Sequence, residues 1–446
     1  VKIIYQIFIS IFVFLNQNLY AISSIQEGAL IRDAEIEEVL KSYLNPIFEV
    51  AGLNPNSLVL YVVNSKEVNA FAMGGGRIGV NTALILKANS ASQVIGVFAH
   101  ETAHLAGNHV IRGIDEYEKA LVKGLIGVLG GIAVGLANPE AGAAVLMGAQ
   151  DVAARSFLKF RRDQEGAADQ GAARYLDALG WSSKGMLEFM QMLHKDDFYM
   201  NQHVDPYVLT HPLTSERVDF FKSHLTTSPY GASLLPEDFD SNFKRIQVKI
   251  AAFTEPPIKT LTRLKPSDTS LLARYGRSIA YLQSGQEEDA LREINSLLKE
   301  YPQDAFFWDL KGQILFDSGN MPEAINAYSK AVQIKPDIAL LRINYAHALT
   351  ESPNSQDHKK AYHELLRAKT EEPDNPFTYR LLAIYYGKTG NTGLAALSLA
   401  EMSFQVEDFD EAKKQAERSL HFLKNDKENQ LRAKEILREI KAARNE

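Results

Sequence analysis

A period of 34 residues runs through the second half of the chain and restricts it to one kind of architecture. Gly285 and Gly319 stand 34 apart, as do Ala290 and Ala324, and Pro302 and Pro336. The next step is 37, to Ala361 and Pro373, and 34 returns at Ala395. Trp308, Tyr345 and Tyr379 each precede one of these alanines by 16 residues. Such landmarks describe a helix pair: a bulky aromatic early in the first helix, a tight turn at Gly, a small Ala where the helices cross, and Pro as a stop. One pair cannot bury its apolar face alone, so successive pairs stack into a superhelix with a concave face. The three extra residues fall within Ser352 to His358, a turn-rich stretch where a loop can absorb them. Helices near Phe409 to Leu423 and Glu428 to Ala442 are expected to continue and cap the stack.

The period and its landmarks resemble the tetratricopeptide repeat. The expected role of residues 271–446 is a groove for a peptide or partner protein; the plainer alternative is a structural arm.

The chain has 446 residues, which suggests two or three domains. With 46% hydrophobic and 23% charged residues it is neither disordered, nor collagenous, nor a multi-spanning membrane protein. A net charge of -7 gives no general attraction to nucleic acid or anionic lipid, and no nucleic-acid partner is expected. The absence of cysteine excludes thiol catalysis, a zinc ribbon and a disulfide framework. At the N-terminus, Lys2 precedes an apolar run from Ile3 to Leu15, and a polar stretch leads to Ala21. The run is shorter than the roughly 20 residues needed to span a bilayer, so residues 1–21 read as a cleaved export signal.

Residues 22–250 mix helices with a short strand region. Ala34 to Val50 has helical periodicity, and Leu58 to Val63 is a β-branched apolar run. Val68 to Ala72 and Arg77 to Val80 flank Gly74-Gly75-Gly76, which predicts a hairpin and hence a small antiparallel region. From Ala83 the pattern is mostly helical. Pro256, Pro257 and Pro266 mark 251–270 as a linker.

His100-Glu101-Thr102-Ala103-His104 is an H-E-x-x-H motif inside an apolar-periodic helix. Helical residues four apart lie about 40° apart around the axis, so both imidazoles point one way and can bind one zinc ion. Glu101 projects beside them as a base. A catalytic zinc needs a third protein ligand and an open position. His109 falls one residue short of the position that an extended H-E-x-x-H-x-x-G-x-x-H pattern requires, which is Val110. On a continuing helix it would lie about 140° from His104, and it is rejected as a ligand. Glu165 and Asp169 lie four apart in Arg161-Arg162-Asp163-Gln164-Glu165-Gly166-Ala167-Ala168-Asp169, on one face of a predicted helix. A carboxylate from a second helix can complete His₂Glu ligation, with Asp169 orienting a ligand histidine. Taken alone, that spacing is weak.

These motifs, with Thr210-His211-Pro212-Leu213 and Arg217, resemble a family of membrane-associated and periplasmic zinc peptidases that includes HtpX and the CAAX prenyl endopeptidases. Asn69-Ala70-Phe71-Ala72 and the Gly-rich hairpin are similar to that family's strand region. The resemblance implies a mainly α fold: an α+β zincin-like metallopeptidase domain with a small antiparallel β region, then an all-α tetratricopeptide-repeat solenoid. It implies a metalloendopeptidase with one zinc held by His100, His104 and Glu165 and with Glu101 as catalytic base. Three roles stay open for His211: a transition-state donor, an occupant of the open zinc position that keeps the enzyme latent, or a structural loop histidine. Arg217 is a candidate for carbonyl or oxyanion contact, or a salt-bridge partner. The strand Arg77 to Val80 is a candidate to pair with an extended substrate.

The resemblance implies a periplasmic protein that engages misfolded substrates and outer-membrane assembly machinery. The alternative class is a chaperone or scaffold whose zinc site is latent. Gly124 to Pro139, uncharged and rich in Gly and Ala, reads as a buried helix, a lid, or a peripheral membrane contact.

Overall fold

The computed structural model describes residues 26–109, 111–113, 115, 119, 139–199 and 206–444. The export signal at 1–21 lies outside the described residues, as does all of the uncharged stretch except Pro139. Among the described residues no helix is long and apolar enough to cross a membrane. The fold is mostly helical with one small sheet, as expected, and the chain divides into two compact units that meet in sequence at Thr254 and Glu255.

In the first unit, β1 (Leu30–Ile31), β2 (Val59–Val63), β3 (Ala70–Met73) and β4 (Arg77–Asn81) form a sheet of order β1-β2-β4-β3. β3 and β4 are the expected antiparallel hairpin, pairing Phe71 with Gly79 and Met73 with Arg77. The sheet as a whole is mixed, because β2 pairs with β4 in parallel. After β2 the chain crosses to the far edge, and the hairpin returns its second strand to the centre. This corrects two expectations. The β region is not purely antiparallel, and Arg77 to Val80 is not free to accept a substrate strand because both its edges are paired. The edge on that side is β3.

Helices α1 (Ala34–Val50), α2 (Thr82–Lys87) and α3 (Ala91–Ala106) follow in the first unit, with α4 (Pro139–Ala178), α5 (Lys184–Tyr199), α6 (Pro206–Thr210), α7 (Ser215–Thr227) and α8 (Glu237–Thr254). α3 is the central element, buried from Val94 through His104. It packs against α4, α5, β3 and α8, and so shows no amphipathic face. Asp240 of α8 accepts a hydrogen bond from the Ala91 backbone N–H at 2.8 Å, satisfying a donor that the helix itself cannot. Phe98 lies in a core with Tyr43, Phe48, Phe189, Phe221 and Phe243.

The segment read as a linker is largely helical. α8 runs to Thr254, and α9 (Pro257–Arg263) follows at once. Pro257 sits at the start of α9, where a missing N–H costs nothing, so the proline begins a helix instead of breaking one.

The second unit is a run of antiparallel helix pairs. Leu271–Gln283 packs on Glu287–Glu300, Ala305–Asp317 on Met321–Ile334, and Ala339–Glu351 on Ser355–Glu371. Pro376–Lys388 with Thr392–Gln405 and Phe409–Phe422 with Lys427–Arg444 complete the described series. Ala290, Ala324 and Ala361 are fully buried in these pairs. The aromatic and proline landmarks are physically linked. Trp308 Nε1 donates to Pro302 O at 2.9 Å, and Tyr379 Oη donates to Pro373 O at 2.7 Å.

The three-residue insertion is not absorbed by a loop. Ser355–Glu371 has 17 residues, whereas Glu287–Glu300, Met321–Ile334 and Thr392–Gln405 have 14. Asn354 accepts a hydrogen bond from Gln356 N and starts the helix without lengthening the turn.

Candidate metal centre

Two helices and a loop bring four donors together. α3 supplies His100 and His104, α4 supplies Glu165, and the segment joining α6 to α7 supplies His211. Gly171 lets α3 and α4 approach closely, since a Cβ there would stand 2.7 Å from the Cβ of Ala103. The four side chains are buried, and their candidate ligand atoms all lie within 4.8 Å of one another.

His100 Nε2 is 3.1 Å from His104 Nε2, 3.3 Å from His211 Nδ1 and 3.3 Å from Glu165 Oε2. Glu165 Oε1 is 3.4 Å from His104 Nε2, and Glu165 Oε2 is 3.1 Å from His211 Nδ1. Donors placed about 2.0–2.1 Å from a tetrahedral centre stand roughly 3.3 Å apart. The separations and the imidazole–carboxylate set therefore fit a small divalent cation such as zinc.

Glu101 lies beside these donors and is fully buried. Its carboxylate accepts a hydrogen bond from the backbone of Ala72 on β3. Its Oε1 has no hydrogen-bond partner, although His211 Nε2 stands 3.5 Å away. An orphaned buried carboxylate oxygen is costly and marks a place for a further polar group. Burial raises the Glu101 pKa against the pull of His104 and His100.

Asp169 and Arg217 form the support behind the cluster. Asp169 Oδ1 is 2.9 Å from His100 Nδ1, on the side of the ring away from the other donors. Arg217 grips Asp169 with Nε at 2.6 Å and Nη2 at 2.8 Å. Its Nη1 lies 3.0 Å from Glu165 Oε2 and donates to Pro212 O at 3.1 Å. The guanidinium is thus committed to internal partners, the salt-bridge alternative for this residue.

The charges follow from this packing. For Glu165, burial works upward, but the facing imidazoles, His100 foremost, outweigh it and hold the carboxyl far below its usual range. Burial likewise opposes the charge on His100, yet Asp169 and Glu165 lift it to about 9. Burial lowers His104 and His211.

His211 is fastened by features that its sequence motif does not reveal. Its backbone N–H donates to Tyr207 O at 2.7 Å, and the two rings stack with centroids 4.7 Å apart. Arg161 on α4 donates to the carbonyl of Thr210, just before it. His109 is not among the four converging residues; its ring meets the opposite face of the site, at His104 Nδ1. The Tyr207 contacts join residues four apart, whereas the Arg161 contact depends on tertiary placement and leaves no local spacing signal.

The family model for Peptidase family M48 matches residues 31–224, and the model for the cytochrome c-type biogenesis protein H TPR domain matches 290–413. A beta-barrel assembly-enhancing protease of Yersinia pestis is 25% identical over 345 residues, covering 76% of this chain and 71% of its own. The protein of that name from Escherichia coli (strain K12) is 24% identical over 328 residues, 72% of this chain and 67% of its own. Among solved structures, a thermophilic TPR protein of Thermus thermophilus aligns with 36% of this chain and 95% of its own at 18% identity and a TM-score of 0.25, too low to carry an argument. The first match spans α3, the Glu165 segment of α4 and the His211 loop together, and the second falls on the helix pairs. The chain thus carries a metallopeptidase domain of peptidase family M48, followed by a C-terminal tetratricopeptide-like region.

Proposed function

We propose that the chain is an exported, zinc-dependent endopeptidase that acts on misfolded or stalled proteins in outer-membrane quality control, with residues 22–250 as the peptidase domain and 271–446 as a partner-binding repeat domain. The observation that carries this reading is the convergence of His100, His104, Glu165 and His211 beside the buried, half-satisfied carboxylate of Glu101. The cellular role rests on the relatives named for β-barrel assembly, and export rests on the apolar run in residues 1–21.

His100, His104 and Glu165 would hold one zinc ion. The chemistry that such an ion supplies is polarisation of the scissile carbonyl and acidification of a water towards neutrality. Glu101 takes the proton of the attacking water and returns it to the leaving amine. Its raised affinity for protons suits a base that must also act as the acid, and the Ala72 N–H holds the carboxylate in place. Asp169 fixes the tautomer of His100, and Arg217 balances the charges of Asp169 and Glu165. Both are positioning residues.

The substrate strand is assigned to β3. Asn81 N donates to Asn69 O at 2.9 Å, so in the observed register Ala70 and Ala72 turn their backbone groups away from β4. That outward edge runs beside Glu101, which holds the Ala72 N–H, and an extended peptide could add there through the backbone groups of Ala70 and the Ala72 carbonyl. His211 favours a latent ground state, since its Nδ1 sits against Glu165 and His100 where a catalytic site keeps an open position.

Cleavage of an unfolded protein such as casein tests the reading. The purified chain should cleave it, a chelator should stop the cleavage, and added zinc should restore it. Cleavage that persists after the metal is stripped would refute the proposal.

A further inference from the structure

The side of His104 that faces away from the cluster is occupied too. Its Nδ1 lies 3.0 Å from Nδ1 of His109, and the two rings meet edge to face with centroids 4.9 Å apart. On a continuous helix, residues five apart diverge by about 140°, so the contact requires α3 to end between them. It ends there in an unusual way. Gly107 takes the C-cap, and Asn108 has φ 52°, one of two positive values at non-glycine positions among the described residues. The left-handed residue turns the chain back towards His104. Gly107 leaves the space, since a Cβ there would stand 2.3 Å from His109 Nε2. Gln164, the neighbour of Glu165 on α4, donates to the His109 carbonyl at 3.1 Å and secures the turn. Helix end, left-handed residue, glycine gap and side-chain clasp all serve one contact between two buried imidazoles.

We infer that His109 is a positioning residue for His104. His109 Nδ1 accepts the proton of His104 Nδ1–H, which leaves His104 Nε2 unprotonated and aimed at His100 Nε2 and Glu165 Oε1, 3.1 and 3.4 Å away. His109 carries its own proton on Nε2. The two histidines of the motif are therefore oriented by different chemistry: a carboxylate, Asp169, behind His100, and a neutral imidazole behind His104.

The inference rests on the reading that these residues hold zinc, and two measurements on the full chain separate the two claims. The first is zinc affinity by chelator competition for wild type, His109→Leu and His109→Asn, with metal-free melting temperature as the control. Leu should weaken zinc binding by about 10–100-fold with little change in metal-free melting. Asn, whose side-chain oxygen can stand where the ring Nδ1 stood, should recover most of the loss. Wild-type affinity in the Leu variant would overturn the inference, and so would equal losses in both variants. The second is the ¹⁵N shifts of the His104 ring in metal-free protein, which should place the proton on Nδ1 in wild type and in the Asn variant but not in Leu. If wild type bound no zinc, the reading of the cluster would fall while these shifts still decided the role of His109. A proton on Nε2 of His104 in wild type would overturn it.

Discussion

Glu101→Gln is expected to reduce cleavage by about 10²–10⁴-fold while the protein keeps its metal. The substitution preserves size and leaves an amide oxygen to accept the Ala72 N–H, so the β3–α3 contact survives. It removes only the capacity to take and return a proton. Glu101 is not one of the four converging donors, so the ligand set stays intact. The check is a comparison of initial rates and zinc content for the two proteins, folded to the same melting temperature. A variant with near-wild-type turnover would remove Glu101 from the chemistry.

His211→Ala is expected to act in the opposite direction, raising basal cleavage about tenfold or more. A side chain that fills the fourth position makes the open form a minority, and apparent substrate affinity falls by the fraction of chains that are open. A bias of about 1.4 kcal/mol towards the filled form already costs a factor of ten. That bias has visible sources in the Tyr207 stack and in the hold of Arg161 and Arg217 on the carbonyls of Thr210 and Pro212, either side of His211. The rate on an unfolded substrate at saturating zinc measures the effect. A fall in rate would assign His211 to the transition state instead.

The parts of this molecule that can be read from its sequence are those whose geometry is local. The H-E-x-x-H spacing places His100 and His104 on one helical face whatever surrounds the helix, and the repeat landmarks recur because each pair is built from contacts within a few dozen residues. The misreadings share the opposite character. The hairpin is local, but the parallel pairing of β2 with β4 joins segments separated by β3, and no spacing announces which strand becomes the edge. The residues near Ser352 favour turns and so point to a loop. Asn354 caps a helix, so the extra residues extend Ser355–Glu371. Glu165 could be picked out only through family resemblance, since an acidic pair four apart is common on solvated helices. His109 meets His104 only because Gly107 and Asn108 end α3, a local break that the helical pattern does not show.

The most direct test of the account is the zinc content of the purified full chain, set beside that of Glu165→Ala. The account predicts one zinc per chain in the first and a large loss in the second, because the carboxylate is the donor that ties α4 to the two histidines of α3. A folded wild-type protein without zinc, or zinc retained undiminished by the variant, would contradict it.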